Sequence, residues 1–186
     1  MRTTPRRLIA SVLLVVLAAA PALAQTVADR PYGGEDKDWR IAPQAELRRD
    51  KYHAPTPTSI PGGRLITTFQ LNQALQGPDK PLLVNLLTGK SARGIAGSLW
   101  LSGGGQGIGF DDLAQDRLAQ HLDRLSKGNK AATIVFYCLS AECWLSYNAT
   151  LRALRLGYAN ALWYRGGVDS WAAAGLPVTL LTDDRW

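Results

Sequence analysis

From residue 64 onward, short apolar runs alternate with segments in which apolar positions return every third or fourth residue. "RLITTF" predicts a short strand passing into a helix that is capped by Thr67 or Thr68, runs to about Leu75 and stops at Gly77-Pro78. "PLLVNLL" (81–87) is continuously apolar, as a strand buried on both faces must be. "IAGSLWLS" (95–102) predicts another strand, and Asp111 or Asp112 caps a helix whose Leu118, Leu122 and Leu125 mark one face before Gly128. "ATIVFYC" (132–138) is the strongest strand signal. Trp144, Tyr147, Leu151 and Leu154 then form a helical stripe closed by Gly157. "ALWY" (161–164) predicts a further strand, and Val168 to Ala174 a short helix ended by Gly175 and Pro177. Strands alternating with helices predict an α/β fold, a central parallel sheet with helices on both faces.

The first 63 residues follow neither period. Arg2, Arg6 and Arg7 precede an apolar run from Leu8 to Ala20 and the small-residue site Ala22-Leu23-Ala24, which predicts a cleaved secretory signal peptide over residues 1–24 and a periplasmic location. The run is too short to span a bilayer, and no later apolar run reaches that length, so no membrane association is expected after the leader is removed. Residues 25–63 are polar and turn-rich. They are expected to form an N-terminal extension, wrapped over the domain or partly disordered, with Tyr32, Trp39 and Tyr52 favouring wrapping. Residues 64–186 are the expected domain.

Removing the leader changes the charge picture. It holds three of the 21 Lys and Arg residues and none of the 15 acids, which leaves 18 against 15, a net charge of +3. The cations are dispersed, apart from "LRRDK" (47–51), so a nucleic-acid surface is not expected. No metal site is expected either: the only histidines are His53, in the extension, and His121, on a polar helix face. The glycine run "SGGGQGIGF" (102–110) lacks the spacing of a phosphate loop and reads as a flexible loop beside the site mouth, and no G-x-S-x-G occurs.

The chemistry concentrates in "FYCLSAECWLS" (136–146), which holds both cysteines. Cys138 falls at the carboxyl end of a central strand and Cys143 at the start of the next helix, where open α/β sheets bind ligands. Backbone N–H groups of such a loop, with the helix dipole, favour a thiolate and lower its pKa below the ~8.5 of a free cysteine. The same pair in an oxidising compartment also has the even count and short span of a disulfide. A permanent bridge, a reversible redox pair and a lone nucleophile with an incidental neighbour all remain open at this point.

The Cys loop, the helix ending "LGY" (156–158) and "GGVDSWAAAGLPV" (166–178) together resemble the rhodanese-like domain over about residues 64–178. Ala96 stands where that family usually has Pro, and Asn85 where a strand-end Asp is usual. The leader, "YHAPTPTSIPGG" and the Cys143-Trp144 pair also resemble a narrower periplasmic group, the CXXCW-motif proteins associated with pyrroloquinoline-quinone-dependent catabolism. The departure there is Ser140, which occupies the position of the first cysteine of a CxxC.

The resemblance implies a rhodanese-like α/β fold and sulfurtransferase-like chemistry. Cys138 is the implied nucleophile, carrying sulfane sulfur as a persulfide, with Leu139, Ser140, Ala141, Glu142 and Trp144 as the substrate-binding loop. Cys143 is a second thiol whose role stays undecided. An apolar and acidic loop disfavours a dianionic donor, so weak activity on thiosulfate is expected. The implied partners are a small sulfur donor or a thiol-bearing protein, with a functional link to quinoprotein dehydrogenases; no cofactor is implied. Thiol-disulfide exchange through Cys138 and Cys143, and a non-catalytic binding module, are the alternatives.

Overall fold

A computed structural model describes residues 26–186; the leader expected over 1–24 lies outside the described residues. Five strands, β1 (Arg64–Leu65), β2 (Leu82–Asn85), β4 (Leu99–Trp100), β5 (Ile134–Tyr137) and β6 (Ala161–Tyr164), form one sheet in the order β1-β6-β5-β2-β4. Every pair in it is parallel. The interior strand β5 is buried along its whole length, as its unbroken apolar run requires.

Successive side chains of a strand point to opposite faces, so each face gathers its own core. On one side, Val84, Ile134 and Phe136 pack under Leu118 and Leu122 of α2 (Leu113–Ser126) and Leu145, Ala149 and Ala153 of α3 (Trp144–Arg155). On the other, Leu83, Val135, Tyr137 and Tyr164 pack under Leu71 of α1 (Thr68–Gln76) and Val168 and Trp171 of α4 (Gly167–Ala173). This is an α/β fold with a central parallel sheet and helices on both faces, as the alternation of strands and helices predicts.

Local chemistry sets the boundaries. Thr67 caps α1 in a reciprocal box with Gln70, and Asp112 caps α2 through the Gln115 N–H. Three strands depart from expectation. Of the strand predicted over 95–102 only Leu99–Trp100 forms, preceded by a turn in which Gly97 takes φ +81° and the Ser98 N–H bonds Ile95 O at 3.2 Å. Before the turn lies β3 (Ala92–Gly94), which pairs antiparallel with a strand the sequence did not signal, β7 (Thr179–Leu181). After it lies β4, the sheet edge, whose Trp100 bridges Asp184 of the C-terminal segment.

Residues 26–63 contain no helix or strand and run across the domain surface. Their apolar anchors Leu47 and Ile60 join Trp144, Tyr147, Leu151 and Trp163 in a third core cluster. The helical stripe read from Trp144, Tyr147 and Leu151 thus faces the extension, while Leu145, Ala149 and Ala153 face the sheet. With both stripes covered, every residue of α3 from Trp144 to Ala153 is buried. Among the described residues, no helix is long and apolar enough to cross a membrane.

Candidate functional site

Cys138 follows the last residue of β5, and Cys143 occupies the position before the first turn of α3. The chain between them curls back so that their Cα atoms lie 6.1 Å apart, and the two sulfurs are joined in a disulfide. Each cysteine is 1% exposed. The sulfur chemistry that the resemblance implies needs an anionic, accessible sulfur at Cys138; in this state the sulfur is bonded to Cys143 and enclosed.

Three elements hold the loop. The start of α4 reaches across from β6: the Val168 N–H bonds Cys138 O at 3.1 Å and the Asp169 N–H bonds Leu139 O at 2.9 Å. That approach needs the motif glycine, since Gly167 has φ +60° and a Cβ there would sit 2.6 Å from Cys138 O. The glycine run packs from the other side. Gly105 lies so close to the Leu145 backbone that no side chain fits, and Asn148 Nδ2 donates to Gly105 O at 2.9 Å. Gly103, Gly104 and Gly105 are buried, so this part of the run is packed against the start of α3, where the sequence suggested a flexible loop.

The extension closes the remaining side. Residue His53 forms an antiparallel bridge with Cys143, in which the Trp144 N–H donates to Tyr52 O at 2.9 Å and the Ala54 N–H to Glu142 O at 3.0 Å. The first bond caps a helix whose own cap residue, Cys143, supplies no side-chain hydrogen bond. Trp144 Nε1 donates to Pro55 O at 3.1 Å, and the buried Thr56 hydroxyl donates to Ala141 O. Thr56 is gripped in turn by Arg165, which is 2% exposed at the carboxyl end of β6. Its guanidinium donates to Thr56 Oγ1 and Thr56 O, both at 3.0 Å, and to the carbonyls of Glu35 and Lys37 at 2.6 and 2.8 Å.

The loop side chains named from sequence divide accordingly. Ala141 and Trp144 are buried, Trp144 edge-on to Tyr147 at 4.9 Å; Leu139 and Ser140 are half-buried, and Glu142 is exposed. A cleft of about 350 Å³ lies beside them, lined by Gly33, Gly34, Lys37, Trp39, Ser140, Ala141, Glu142 and Asp169. His53 touches the loop through its backbone, and His121 stacks 5.8 Å from Trp186, with its pKa lowered by burial and by Arg124 and Arg117. Among the described residues no group of three His, Cys, Asp or Glu side chains is placed to hold a metal. Thr56 and Arg165 escaped the sequence reading. The available signal was a charged residue directly after the apolar strand "ALWY" and directly before Gly166-Gly167.

Chemically, the arrangement is a disulfide at the end of the central strand, enclosed by hydrogen bonds from α4 and the extension. Reduction would return Cys138 to a loop at the start of a helix, where a thiolate is favoured.

Residues 90–174 match the family model described as the rhodanese-like domain. A search among curated proteins finds no match. Among solved structures, the chain is similar to a thiosulfate sulfurtransferase from Pseudomonas aeruginosa, at 13% identity and a TM-score of 0.49, over 66% of this chain but only 21% of that one. It is also similar to an uncharacterized protein from Saccharomyces cerevisiae, at 17% identity and a TM-score of 0.43, over 60% of this chain and 92% of that one. A third is a full-length protein from Lactobacillus plantarum, at 21% identity and a TM-score of 0.42, over 60% of this chain and 82% of that one.

Proposed function

We propose, for a chain whose residues 90–174 carry a rhodanese-like domain, that Cys138 takes up and passes on sulfane sulfur and that Cys143 resolves the persulfide so formed. The observation that carries this reading is the disulfide itself, joining the strand-end cysteine of that domain to the cysteine that opens the next helix.

In the reduced protein the Cys138 thiolate attacks the outer sulfur of a sulfane donor. The donor S–S bond breaks, the donor leaves as a thiolate, and Cys138 holds a persulfide. An acceptor thiolate attacking the outer sulfur carries it away and restores Cys138. With no acceptor, the Cys143 thiolate attacks Cys138 Sγ, expels hydrosulfide and leaves the Cys138–Cys143 disulfide. A further dithiol is then needed to return the pair to the reduced state. The apolar and acidic loop, Leu139 to Glu142, fits a donor of low charge better than the thiosulfate dianion.

The leader pattern supports a periplasmic setting, where a disulfide persists. The link to quinoprotein alcohol oxidation rests on the sequence resemblance alone, and that makes a quinoprotein dehydrogenase the partner to test first.

The test is mass spectrometry of the reduced chain after incubation with a small organic persulfide. One added sulfur on Cys138 is expected, absent in Cys138→Ser, and in Cys143→Ser the persulfide should accumulate without sulfide release. Failure of every sulfane donor to add sulfur would sink the reading. The same observation also favours a second reading, thiol-disulfide exchange, in which Cys143→Ser instead traps a mixed disulfide between Cys138 and a partner protein.

A further inference from the structure

Neither sulfur can be attacked in the state described, because an incoming nucleophile must reach a disulfide sulfur and each cysteine is 1% exposed. The segment closing the site is short and extended. Tyr52 and Ala54 pair with the backbone on either side of Cys143, Pro55 takes the Trp144 indole N–H, and Thr56 bonds Ala141 O. These contacts are made to the cysteine loop itself. The lock is at the end of the segment, where Arg165 holds both oxygens of Thr56 and, further upstream, the carbonyls of Glu35 and Lys37. Arg165 directly precedes Gly166-Gly167, the turn whose helix grips Cys138 O.

We infer that residues 52–56 are a strap that shuts the disulfide away from sulfur and thiol nucleophiles, with Arg165 as its buckle. This rests on the reading of Cys138 as the reacting sulfur. A buried bond reacts through the fraction of molecules in which its cover has opened, so the rate of reduction reports the strap's opening equilibrium. Main-chain pairing of two hydrogen bonds is weak enough to open locally while β5, in the sheet centre, stays closed.

The experiment measures reduction of the oxidised full chain by a water-soluble phosphine, with alkylation and mass spectrometry to count freed thiols. The phosphine attacks one sulfur and the S–S bond breaks; water then carries phosphorus to the phosphine oxide, and both sulfurs leave as thiols. Arg165→Lys, which keeps the charge but loses the fork that spans Thr56, should be reduced about tenfold faster or more than the unaltered chain. Thr56→Val, which keeps the shape and removes the hydroxyl shared by Ala141 and Arg165, should move the same way and serves where Arg165→Lys does not fold. Rates within about twofold of the unaltered chain in the folded variants would overturn the strap, since one lost hydrogen bond is worth more than that. On the unaltered chain, amides of Ala54 and Trp144 should exchange faster than that of Val135; equal protection at all three would also overturn it. Sulfur uptake by the pre-reduced chain separates the two ideas. Faster reduction without uptake leaves the strap and removes sulfur transfer, and uptake with unchanged reduction rates does the reverse.

Discussion

Asn85 shows how one side chain adapts this fold. It is fully buried at the end of β2, where its Nδ2 donates to Arg93 O at 2.9 Å and its Oδ1 accepts the Leu87 N–H at 2.8 Å. The site therefore needs one donor and one acceptor, which an amide has and a carboxylate lacks. Asn85→Asp should destabilise the fold at neutral pH by about 2–3 kcal/mol, from a buried charge set against a carbonyl. The sign of its pH dependence follows. Burial raises that carboxyl above the ~3.9 of an unfolded Asp, and the protonated acid can donate to Arg93 O, so the variant's stability is present at low pH and lost as pH rises through the folded value. Urea midpoints at pH 4 and pH 7 for both proteins check this; an equal deficit at the two pH values would refute it.

The helices and strands hold the cysteine loop by close backbone approaches, and glycines mark the tightest of them. Gly167→Ala puts a methyl 2.6 Å from Cys138 O and 2.7 Å from the Leu139 carbonyl carbon at φ +60°, and the atoms it meets are backbone, which cannot swing aside as a side chain can. It should cost at least about 2 kcal/mol and pull α4 away from the loop. Gly157→Ala, at φ +88° but facing open space, should cost only about 1 kcal/mol, the conformational part. Thermal unfolding of the two variants compares them directly, and a Gly167→Ala variant as stable as Gly157→Ala would contradict the packing argument. Much of this layer was legible in the sequence. "ALWY" and the Leu118–Leu122 stripe marked β6 and α2, because a short apolar run between turn residues and an apolar face at helical spacing are both visible in the order of residues. The turn between β3 and β4 was not legible, since Gly97 lies inside an apolar run and its positive φ leaves no mark in the sequence. Nor was the partner of the Trp144–Tyr147–Leu151 stripe: periodicity finds an apolar face but does not say whether sheet or extension covers it. Cys138 and the loop could be placed from local pattern, whereas Arg165 and Thr56 meet only through contacts 109 residues apart in the chain.

Taken whole, the molecule is a sheet domain with the extension buckled across its site, and one buried carboxylate sits where the two join. Glu35, in the extension, accepts from the Thr68 N–H at 2.9 Å, the Thr68 hydroxyl at 2.8 Å and the Tyr32 N–H at 3.2 Å, which ties it to the start of α1. Burial raises its pKa above 4.5; the Thr68 and Tyr32 hydrogen bonds offset part of that rise, and Asp36 adds to it. A carboxyl whose folded pKa exceeds its unfolded value binds more protons folded than unfolded between the two. Its contribution to stability is therefore fully present below 4.5 and is lost as pH rises through the folded value. Asp112 has the opposite sign. Burial alone would raise its pKa, but Arg152 at 2.9 Å and the N–H groups of Gln115, Ile108 and Gly109 hold it well below 3.8, so its contribution is present above 3.8 and fades in stronger acid. The two effects occupy different windows and can be separated by variant. Glu35→Gln keeps an acceptor for Thr68 but has no proton to exchange, so the difference in unfolding free energy between it and the unaltered chain should drift in the variant's favour as pH rises from 4.5, then level off. Amide exchange at Ala54 over the same pH steps, corrected for intrinsic rates, locates the effect. If the drift belongs to docking of the extension, protection there falls in the unaltered chain and stays flat in Glu35→Gln; parallel pH curves for the two proteins would show that Glu35 does not couple proton binding to the closure of the extension.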